Sequence, residues 1–264
     1  AQDITEKRNV EDELRQKESR LSMALEGSKN GLWDWNIAEG TVYFSPTYYE
    51  ILGYEPDGFP ATYDEWLSRL HPDDAEHTAQ IVNFCIENLS DNFAVEFRMR
   101  SKGGDWRWIL AKGKVFERDQ NGRAVRMAGT HTDISERKKA EEKLRLNEAR
   151  LQALLALSQM TGATMQQIAD FALAEGIKLT GSSMGYLAFL NDDESVLTMF
   201  SWSDKAREIC TIPDKPVVYP VANTGLWGEA IRQRKPIITN DYSAPDQYKR
   251  GLPEGHPEII RHMN

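Results

Sequence analysis

The chain has 264 residues, of which 28% are charged and 40% hydrophobic, and a formal net charge of −9 at pH 7. This length has room for two domains of ordinary size, and the acidic balance argues against nucleic acid, whose phosphates require clustered Lys and Arg. No apolar run approaches the ~20 residues that cross a bilayer, and no signal peptide or disulfide framework is evident, so we expect a cytoplasmic protein.

Residues 1–27 are predicted to form a helix whose sequence returns later in the chain. The segment Asp3–Arg8 is repeated almost unchanged as Asp133–Lys138, and the match continues with pairs such as Leu14 and Leu144. A repeat at this spacing indicates a modular array in which each unit ends in the same kind of helix. We therefore expect residues 1–27 to be the connector helix of a missing upstream module.

Residues 28–135 carry the signals of an α+β domain. Hydrophobic alternation and turn residues predict, in order, the hairpin strands Gly31–Ile37 and Thr41–Ser45, a short helix from Pro46, a longer helix from Asp73 or Asp74 to about Asn88, and the strands Phe93–Arg100, Asp105–Glu117 and Ala124–His131. Two strands, a helical stretch and three strands predict an antiparallel sheet with the helices grouped on one face.

Residues 136–160 are predicted to form a connector helix, because Ala, Leu, Glu, Lys and Arg dominate and no Gly or Pro interrupts them. Ser135 is expected to cap its start. Alternating spacings of four and three residues place one set of side chains on the seam of a parallel coiled coil. These seam residues are Ala140, Leu144, Asn147, Leu151 and Leu154. The seam is short and Leu155 lies on a neighbouring stripe, so its register is left open. The pattern predicts a homodimer.

Residues 161–264 are predicted to form a second domain. The expected elements are a helix over Met165–Leu179, paired strands over Gly185–Leu190 and Val196–Trp202, a helix within Gly225–Pro236 and a strand over Ile237–Asp241.

Several motifs together make residues 28–138 resemble a PAS domain of multidomain bacterial sensor proteins. They are Gly31-Leu-Trp-Asp-Trp-Asn36, Leu52-Gly-Tyr54, His71-Pro-Asp-Asp74, Glu96-Phe-Arg-Met-Arg100, Gly104-Asp-Trp-Arg-Trp108 and Gly129-Thr-His-Thr-Asp-Ile-Ser135. The resemblance implies a five-stranded antiparallel sheet cupping a small-molecule pocket, with Asp133, Ile134 and Ser135 as a hinge into the connector helix.

Residues 150–264 resemble a GAF domain, mainly through the element order and the segment Gly225-Leu-Trp-Gly-Glu-Ala230. Such domains continue with two more long strands and a closing helix, so we expect a C-terminally truncated fold that is less stable than the first domain. The resemblance also implies that an output domain follows beyond Asn264, most often a histidine kinase or a diguanylate cyclase.

The apolar residues predicted to surround the PAS pocket are Trp33, Trp35, Phe44, Leu52, Trp66, Ile81, Phe84, Phe97, Met99, Trp108, Leu110 and Met127. Their aromatic density could stack a planar ligand. The alternative is that these side chains fill the space themselves, as apolar residues at strand and helix periods usually do.

No cofactor has a signature of its own in this sequence. Among the PAS histidines, His77 is placed like a haem ligand in related domains, and an exposed polar residue is its alternative. Cys85 lacks the Asn-Cys-Arg motif of flavin-binding light sensors, Cys210 has no neighbouring His, and no Cys or His pair has metal-ligand spacing. No phosphate loop, nucleophile elbow or other catalytic motif is present.

Signal transmission is assigned to Asp133, Ile134, Ser135, Leu144, Asn147, Leu151 and Leu154. Asp133 either bonds a donor on the sheet, such as Arg98, Arg107 or an indole of Trp33 or Trp35, or acts as a helix cap alone. The sequence thus predicts a non-enzymatic sensory fragment that binds a ligand in the PAS pocket, the GAF pocket or both and passes the signal through a dimeric helix to an output domain of the same chain. The alternatives are a ligand-free dimerisation module and a sensor that contains haem or flavin.

Overall fold

The structure is a computed structural model that describes residues 27–87, 89–210, 217–251, 255–256 and 258–264, together with the single residues 16, 20 and 23. Apart from those single residues and Gly27, the predicted N-terminal connector helix lies outside the described residues. The chain forms two compact units, which divide between Glu142 and Lys143.

The first unit is built on a five-stranded antiparallel sheet, as the sequence predicts. Its strands are β1 (Gly31–Asn36), β2 (Thr41–Phe44), β3 (Asn92–Arg100), β4 (Trp106–Arg118) and β5 (Ala124–Asp133). Their spatial order is β2-β1-β5-β4-β3, so the first and last strands of the unit are neighbours in the middle of the sheet. This arrangement confirms the α+β fold class.

Three helices connect β2 to β3. They are α1 (Pro46–Ile51), α2 (Tyr63–Ser68) and α3 (Pro72–Ile86). Proline opens α1 and α3, where a missing N–H costs no intrahelical hydrogen bond. The cap of α3 is His71, whose Nδ1 accepts a hydrogen bond from the Asp73 N–H at 3.2 Å. The carboxylate of Asp74 is thereby left to bind another partner.

The core of the first unit lies between these helices and one face of the sheet. Along β3 and β4 the buried side chains alternate with exposed ones, as a sheet with one covered face requires. The most deeply buried large side chains are Tyr48, Tyr49, Leu52, Phe97, Met99, Ile109 and Met127.

Helix α4 (Ser135–Ser158) follows β5 after a single residue. The second unit then contains α5 (Met165–Thr180), β6 (Tyr186–Leu190), β7 (Val196–Trp202), α6 (Asp204–Ile209), β8 (Val218–Pro220), α7 (Glu229–Gln233), β9 (Ile238–Thr239) and β10 (His262–Met263). Strands β6, β7 and β8 form one antiparallel sheet, and β9 pairs with β10. Thr164 and Gln167 form a reciprocal capping box at the start of α5.

The helix expected within Gly225–Pro236 is shorter than predicted. A 3-10 turn over Leu226–Gly228 precedes α7, which ends at Gln233. Elements α6 and β8 were not predicted, because six and three residues are too few for a hydrophobic period to emerge. Over the described residues, no helix combines the length and the apolar character needed to cross a bilayer.

Candidate ligand cavity and sheet-to-helix junction

A cavity of about 50 Å3 lies inside the first unit, between the sheet and its helices. Every strand of the sheet and all three helices contribute to its wall. The lining side chains are Trp33, Trp35, Val42, Phe44, Tyr48, Thr62, Tyr63, Trp66, Val82, Phe93, Ala111, Met127 and His131. The wall is therefore mostly aromatic and aliphatic.

The predicted pocket residues divide into those that line this cavity and those that lie elsewhere. Trp33, Trp35, Phe44, Trp66 and Met127 line it. Leu52, Phe97 and Met99 are buried in the surrounding core, and Ile81 packs against that core while partly buried. These four support the wall without being part of it.

Three predicted pocket residues are corrected by the structure. Phe84 is 55% exposed, because it lies on the face of α3 that turns away from the sheet. Trp108 and Leu110 lie on the opposite face of β4 from the buried Ile109 and Ala111, since neighbouring strand residues point to opposite faces. An apolar run on both faces of β4 concealed this difference in the sequence.

Eight lining residues were missed by sequence reasoning, which are Val42, Tyr48, Thr62, Tyr63, Val82, Phe93, Ala111 and His131. Phe93 shares a face of β3 with the predicted Phe97 and Met99, so strict strand alternation could have found it. Ala111 lies on the face of β4 opposite to the predicted Trp108 and Leu110. Tyr48 lies on the short α1, and only the way α1 packs on the sheet brings it to the cavity.

Ring contacts fix the cavity wall. The Tyr48 ring stacks between Phe44 and His131, with centroids 3.9 Å and 4.8 Å away. Trp35 stacks on Tyr63 at 4.8 Å, and Trp66 meets Phe97 edge-on at 6.0 Å. Such stacked and edge-to-face pairs restrict the rings to defined orientations.

Two glycines make room for the Trp33 indole. Gly113 of β4 and Gly129 of β5 pair across the strands, and a Cβ on Gly129 would lie 2.6 Å from Trp33 Cζ2. A Cβ on Gly113 would lie 2.8 Å from the same atom. A side chain at either position would displace this indole from the wall of the cavity.

The buried polar groups at the cavity are uncharged. Burial lowers the pKa of His131 to about 3, so its ring is neutral at pH 7. Burial likewise raises the pKa of the Tyr48 hydroxyl, which stays protonated. Within the described part of the chain, the Tyr48 hydroxyl and the indole Nε1 atoms of Trp33 and Trp66 are buried without a hydrogen-bond partner.

The junction between β5 and α4 is held by side chains at the end of the strand. Asp133 Oδ2 lies 3.3 Å from Arg107 Nη1, while Asp133 Oδ1 accepts a hydrogen bond from the Ser135 N–H at 2.8 Å. Arg107 Nη1 also donates to the Ile51 carbonyl at 2.9 Å. Asp133 therefore combines the two roles weighed for it, an ion pair with the sheet and a bond to the first helical N–H. Arg98 instead binds Asp74.

The role expected of Ser135 is corrected. Its Oγ accepts a hydrogen bond from the Trp108 N–H at 3.0 Å, so it joins α4 to β4 and does not cap its own helix. Ile134 is buried, and its N–H donates to the Trp108 carbonyl at 2.9 Å. The chain between strand and helix is thus bonded to β4 on both sides of the turn.

The first turn of α4 is also bound to β3 by charge. Glu96 pairs with Arg137 and with Lys138, each at 2.6 Å, and Lys138 Nζ lies 5.0 Å from the centre of the Trp108 ring. Hydrogen bonds from Lys138 and Arg137 lower the pKa of Glu96. These contacts fix how α4 leaves the sheet.

The predicted seam of α4 is exposed in the single chain. Leu144, Leu151 and Leu154 are 58%, 66% and 52% exposed, and Asn147 is exposed with them. Along its described length α4 contains no buried residue. A helix with this many exposed leucines has an apolar stripe available for a partner.

The described residues around the cavity of the first unit do not fit haem, flavin or a metal ion. His77 is exposed on α3 and does not line the cavity, and the cavity is far smaller than a porphyrin or a flavin ring system. Cys85 is buried, which raises the pKa of its thiol, and Cys210 is half-buried. Among the described residues, no group of three or more His, Cys, Asp or Glu could hold a metal ion.

The two parts of the chain each match a known domain family. The sequence profile described as the PAS fold matches residues 41–131, and that described as a GAF domain matches residues 162–264. The methyl sulfide methyltransferase-associated sensor of Methanosarcina acetivorans is 53% identical over 162 residues, covering 59% of this chain and 16% of that protein. The sensor protein FixL of Bradyrhizobium diazoefficiens is 34% identical over 131 residues, covering 50% of this chain and 25% of that protein.

One solved structure is similar to part of the chain. The sensory box histidine kinase/response regulator from Burkholderia thailandensis is 34% identical, with a TM-score of 0.44, and the match covers 50% of this chain and 98% of that one. The chain spans a quarter or less of the length of the two sensor proteins named above.

Proposed function

Since the chain carries a PAS domain followed by a GAF domain, both sensor domains of signal-transduction proteins, we propose that it senses a small molecule in the PAS cavity. Binding is passed through a dimeric α4 to an output domain, which we expect to be a histidine kinase, with a diguanylate cyclase as the second choice. In this proposal the fragment itself has no catalytic role.

One observation carries this proposal, which is that β5 joins the cavity to the connector helix. His131 lines the cavity, and Asp133, two residues further along the same strand face, binds both Arg107 and the first N–H of α4. A ligand that moves the His131 end of β5 would change the geometry at Asp133. It could shift the state of α4 only to the extent that it binds one state more tightly than the other.

A second candidate function is a dimerisation module without a ligand. Two observations favour it, the small volume of the cavity and the exposed leucines of α4. In that case the aromatic residues would form the core, and the helix pair would be the whole function. The two candidates share the dimer and differ in whether the cavity is occupied.

Mass spectrometry of what the protein releases on denaturation separates the two candidates. The purified chain is expected to release one compound in stoichiometric amount. An Ala111→Leu variant, which fills the cavity from β4, should lose it, whereas Ala128→Leu, on the opposite face of the sheet, should retain it. Circular dichroism checks that both variants fold. If the wild-type chain releases no compound, or if both variants retain it, the sensory proposal fails.

A further inference from the structure

Three buried hydrogen-bond donors belong to side chains that line the PAS cavity. Within the described residues, the indole Nε1 atoms of Trp33 and Trp66 and the hydroxyl of Tyr48 are buried and lack a partner, and all three side chains line the cavity. Arg69 and His262 also have such an atom, but neither lines the cavity. Buried donors in folded proteins are nearly always satisfied, so three around one cavity indicate an acceptor that occupies it.

The chemistry of these donors defines what could satisfy them. An indole N–H donates and cannot accept, so Trp33 and Trp66 both require an acceptor. The Tyr48 hydroxyl can do either, and burial keeps it protonated by raising its pKa. Two obligatory donors in one wall disfavour a cation, although aromatic rings alone would attract one.

An anion is disfavoured by the rest of the wall. All thirteen lining residues are described, and none is Lys, Arg, Asp or Glu. His131 cannot supply a positive charge at neutral pH, because burial lowers its pKa to about 3. A carboxylate in this cavity would give up its hydration without gaining a counter-charge.

The size of the cavity limits the ligand further. A water molecule needs about 10–15 Å3 of such space, so the 50 Å3 available holds about three to five water-sized groups. The stacked Phe44, Tyr48 and His131 rings form one wall and cannot separate without breaking their contacts. A larger ligand would have to displace them.

Resting on the proposed sensory function, we propose that the cavity binds an uncharged, mostly apolar molecule of about three to five non-hydrogen atoms. Its acceptor group, such as a carbonyl oxygen, takes hydrogen bonds from donors among Trp33, Tyr48 and Trp66. Its apolar part packs on the surrounding rings. The competing explanation is that ordered water alone satisfies the donors.

Nuclear magnetic resonance of the full chain with three probes of one shape tests this. Acetone has a carbonyl acceptor, isobutene has the same outline without the oxygen, and acetate adds a negative charge. The reporters are the indole N–H resonances, which Trp33→Phe and Trp66→Phe spectra assign. Tyr48→Phe removes one donor and keeps the ring. Tyr49→Phe is the matched control, since Tyr49 is equally buried but does not line the cavity.

Acetone is expected to move the indole N–H protons of Trp33 and Trp66 downfield in a saturable manner. Tyr48→Phe should weaken acetone binding roughly three- to tenfold, the usual effect of one hydrogen bond, and Tyr49→Phe should leave it unchanged. Isobutene and acetate should bind more weakly than acetone.

Equal binding of isobutene and acetone, or tighter binding of acetate, would overturn the assigned chemistry and leave the sensory proposal standing. Absence of saturable binding, with both indole protons in contact with water in the free protein, would establish the water explanation and overturn the inference. The sensory proposal is decided separately, by the compound released on denaturation.

Discussion

Arg107 and Asp133 bring β4, β5, α1 and the start of α4 together at one point. Arg107 Nη1 contacts both Asp133 Oδ2, at the end of β5, and the Ile51 carbonyl, at the end of α1. Asp133 in turn binds the first N–H of α4. Helix α1 also carries Tyr48 of the cavity wall, so the connector, the strand and the cavity wall all meet at this ion pair.

Replacing Asp133 should therefore destabilise the junction in two separable ways. Asp133→Ala removes the bond to Ser135 and the ion pair, and should lower the free energy of unfolding by about 1–2 kcal/mol. Asp133→Asn keeps a side-chain acceptor for the Ser135 N–H and should cost less. Urea denaturation of both variants, alone and combined with Arg107→Ala, measures the two parts. Equal losses for Ala and Asn would contradict the assigned helix contact.

Asp74 should matter far more than its neighbour Asp73. Asp74 accepts hydrogen bonds from the Arg98 backbone N–H at 2.9 Å, from Nε at 2.8 Å and from Nη2 at 2.7 Å. Asp73 is 73% exposed and reaches Arg98 at only 3.4 Å. Asp74→Ala should cost about 2–3 kcal/mol of unfolding free energy, and Asp73→Ala less than about 1 kcal/mol. Denaturant titration at pH 7 compares the two.

The carboxyl group of Asp74 also predicts how stability changes at acid pH. Hydrogen bonds from Arg98 lower the pKa of Asp74 below its usual value of 3.8. Its stabilising contribution is thus complete above that value and is lost as the pH falls through the lowered pKa. The Asp74→Ala variant and the wild type should converge in stability only at strongly acid pH. Convergence near neutral pH would refute this assignment.

The sequence predicted the sheet well because each strand of the first unit shows its own period, and turn residues mark most of the ends. It could not identify the partner of Arg98, since several acidic residues were available and only the packing of α3 on β3 selects Asp74. It also failed to separate Trp108 and Leu110 from the cavity, because β4 has apolar residues on both faces. Contacts between distant segments decided both cases.

The positions of His131 and Tyr48 at the cavity could not be predicted from the sequence for the same reason. His131 could be placed on a strand, but its burial and its contact with Tyr48 depend on α1 lying over β5. The sequence placed His131 at the end of a strand and gave no sign that its ring lies at the cavity. The local pattern around Tyr48 predicts a helix and contains nothing that directs its ring to the cavity.

His131 predicts a second loss of stability on acidification, which begins at a higher pH than the loss caused by Asp74. Burial lowers the pKa of its ring from 6.5 to about 3, so protonation favours the unfolded chain. Stability should be complete above pH 6.5 and decrease as the pH falls toward 3, by about 2 kcal/mol between pH 7 and pH 5. Denaturant titrations across that range should show a smaller decrease in His131→Gln than in the wild type, since burial also lowers the pKa of His262. Replacing the exposed His77 by Gln should leave the decrease in place.

Gly129 should not tolerate even a methyl group. A Cβ there would collide with the Lys112 carbonyl and lie 2.6 Å from Trp33 Cζ2, so backbone and indole would both have to move. We expect Gly129→Ala to cost about 3 kcal/mol or more. Gly176→Ala is the matched control, because Gly176 lies in α5 with no atom near its Cβ position and should gain about 0.5–1 kcal/mol. Thermal and urea unfolding of the full chain measure both.

The connector predicts that the chain is a dimer whose stability depends on one stripe of α4. Leu151→Asp places a charge on the predicted seam with Leu144 and Leu154, and should shift the chain to a monomer in sedimentation equilibrium at micromolar concentration. Leu146→Asp introduces the same charge on an exposed leucine of α4 that lies off the seam, and should leave the dimer intact. Asn147→Leu should tighten association, because a polar seam residue stabilises less than an apolar one while it fixes register. A monomeric wild type, or equal effects of the two Asp variants, would show that this stripe is not the dimer contact, and transmission through paired helices would lose its physical basis.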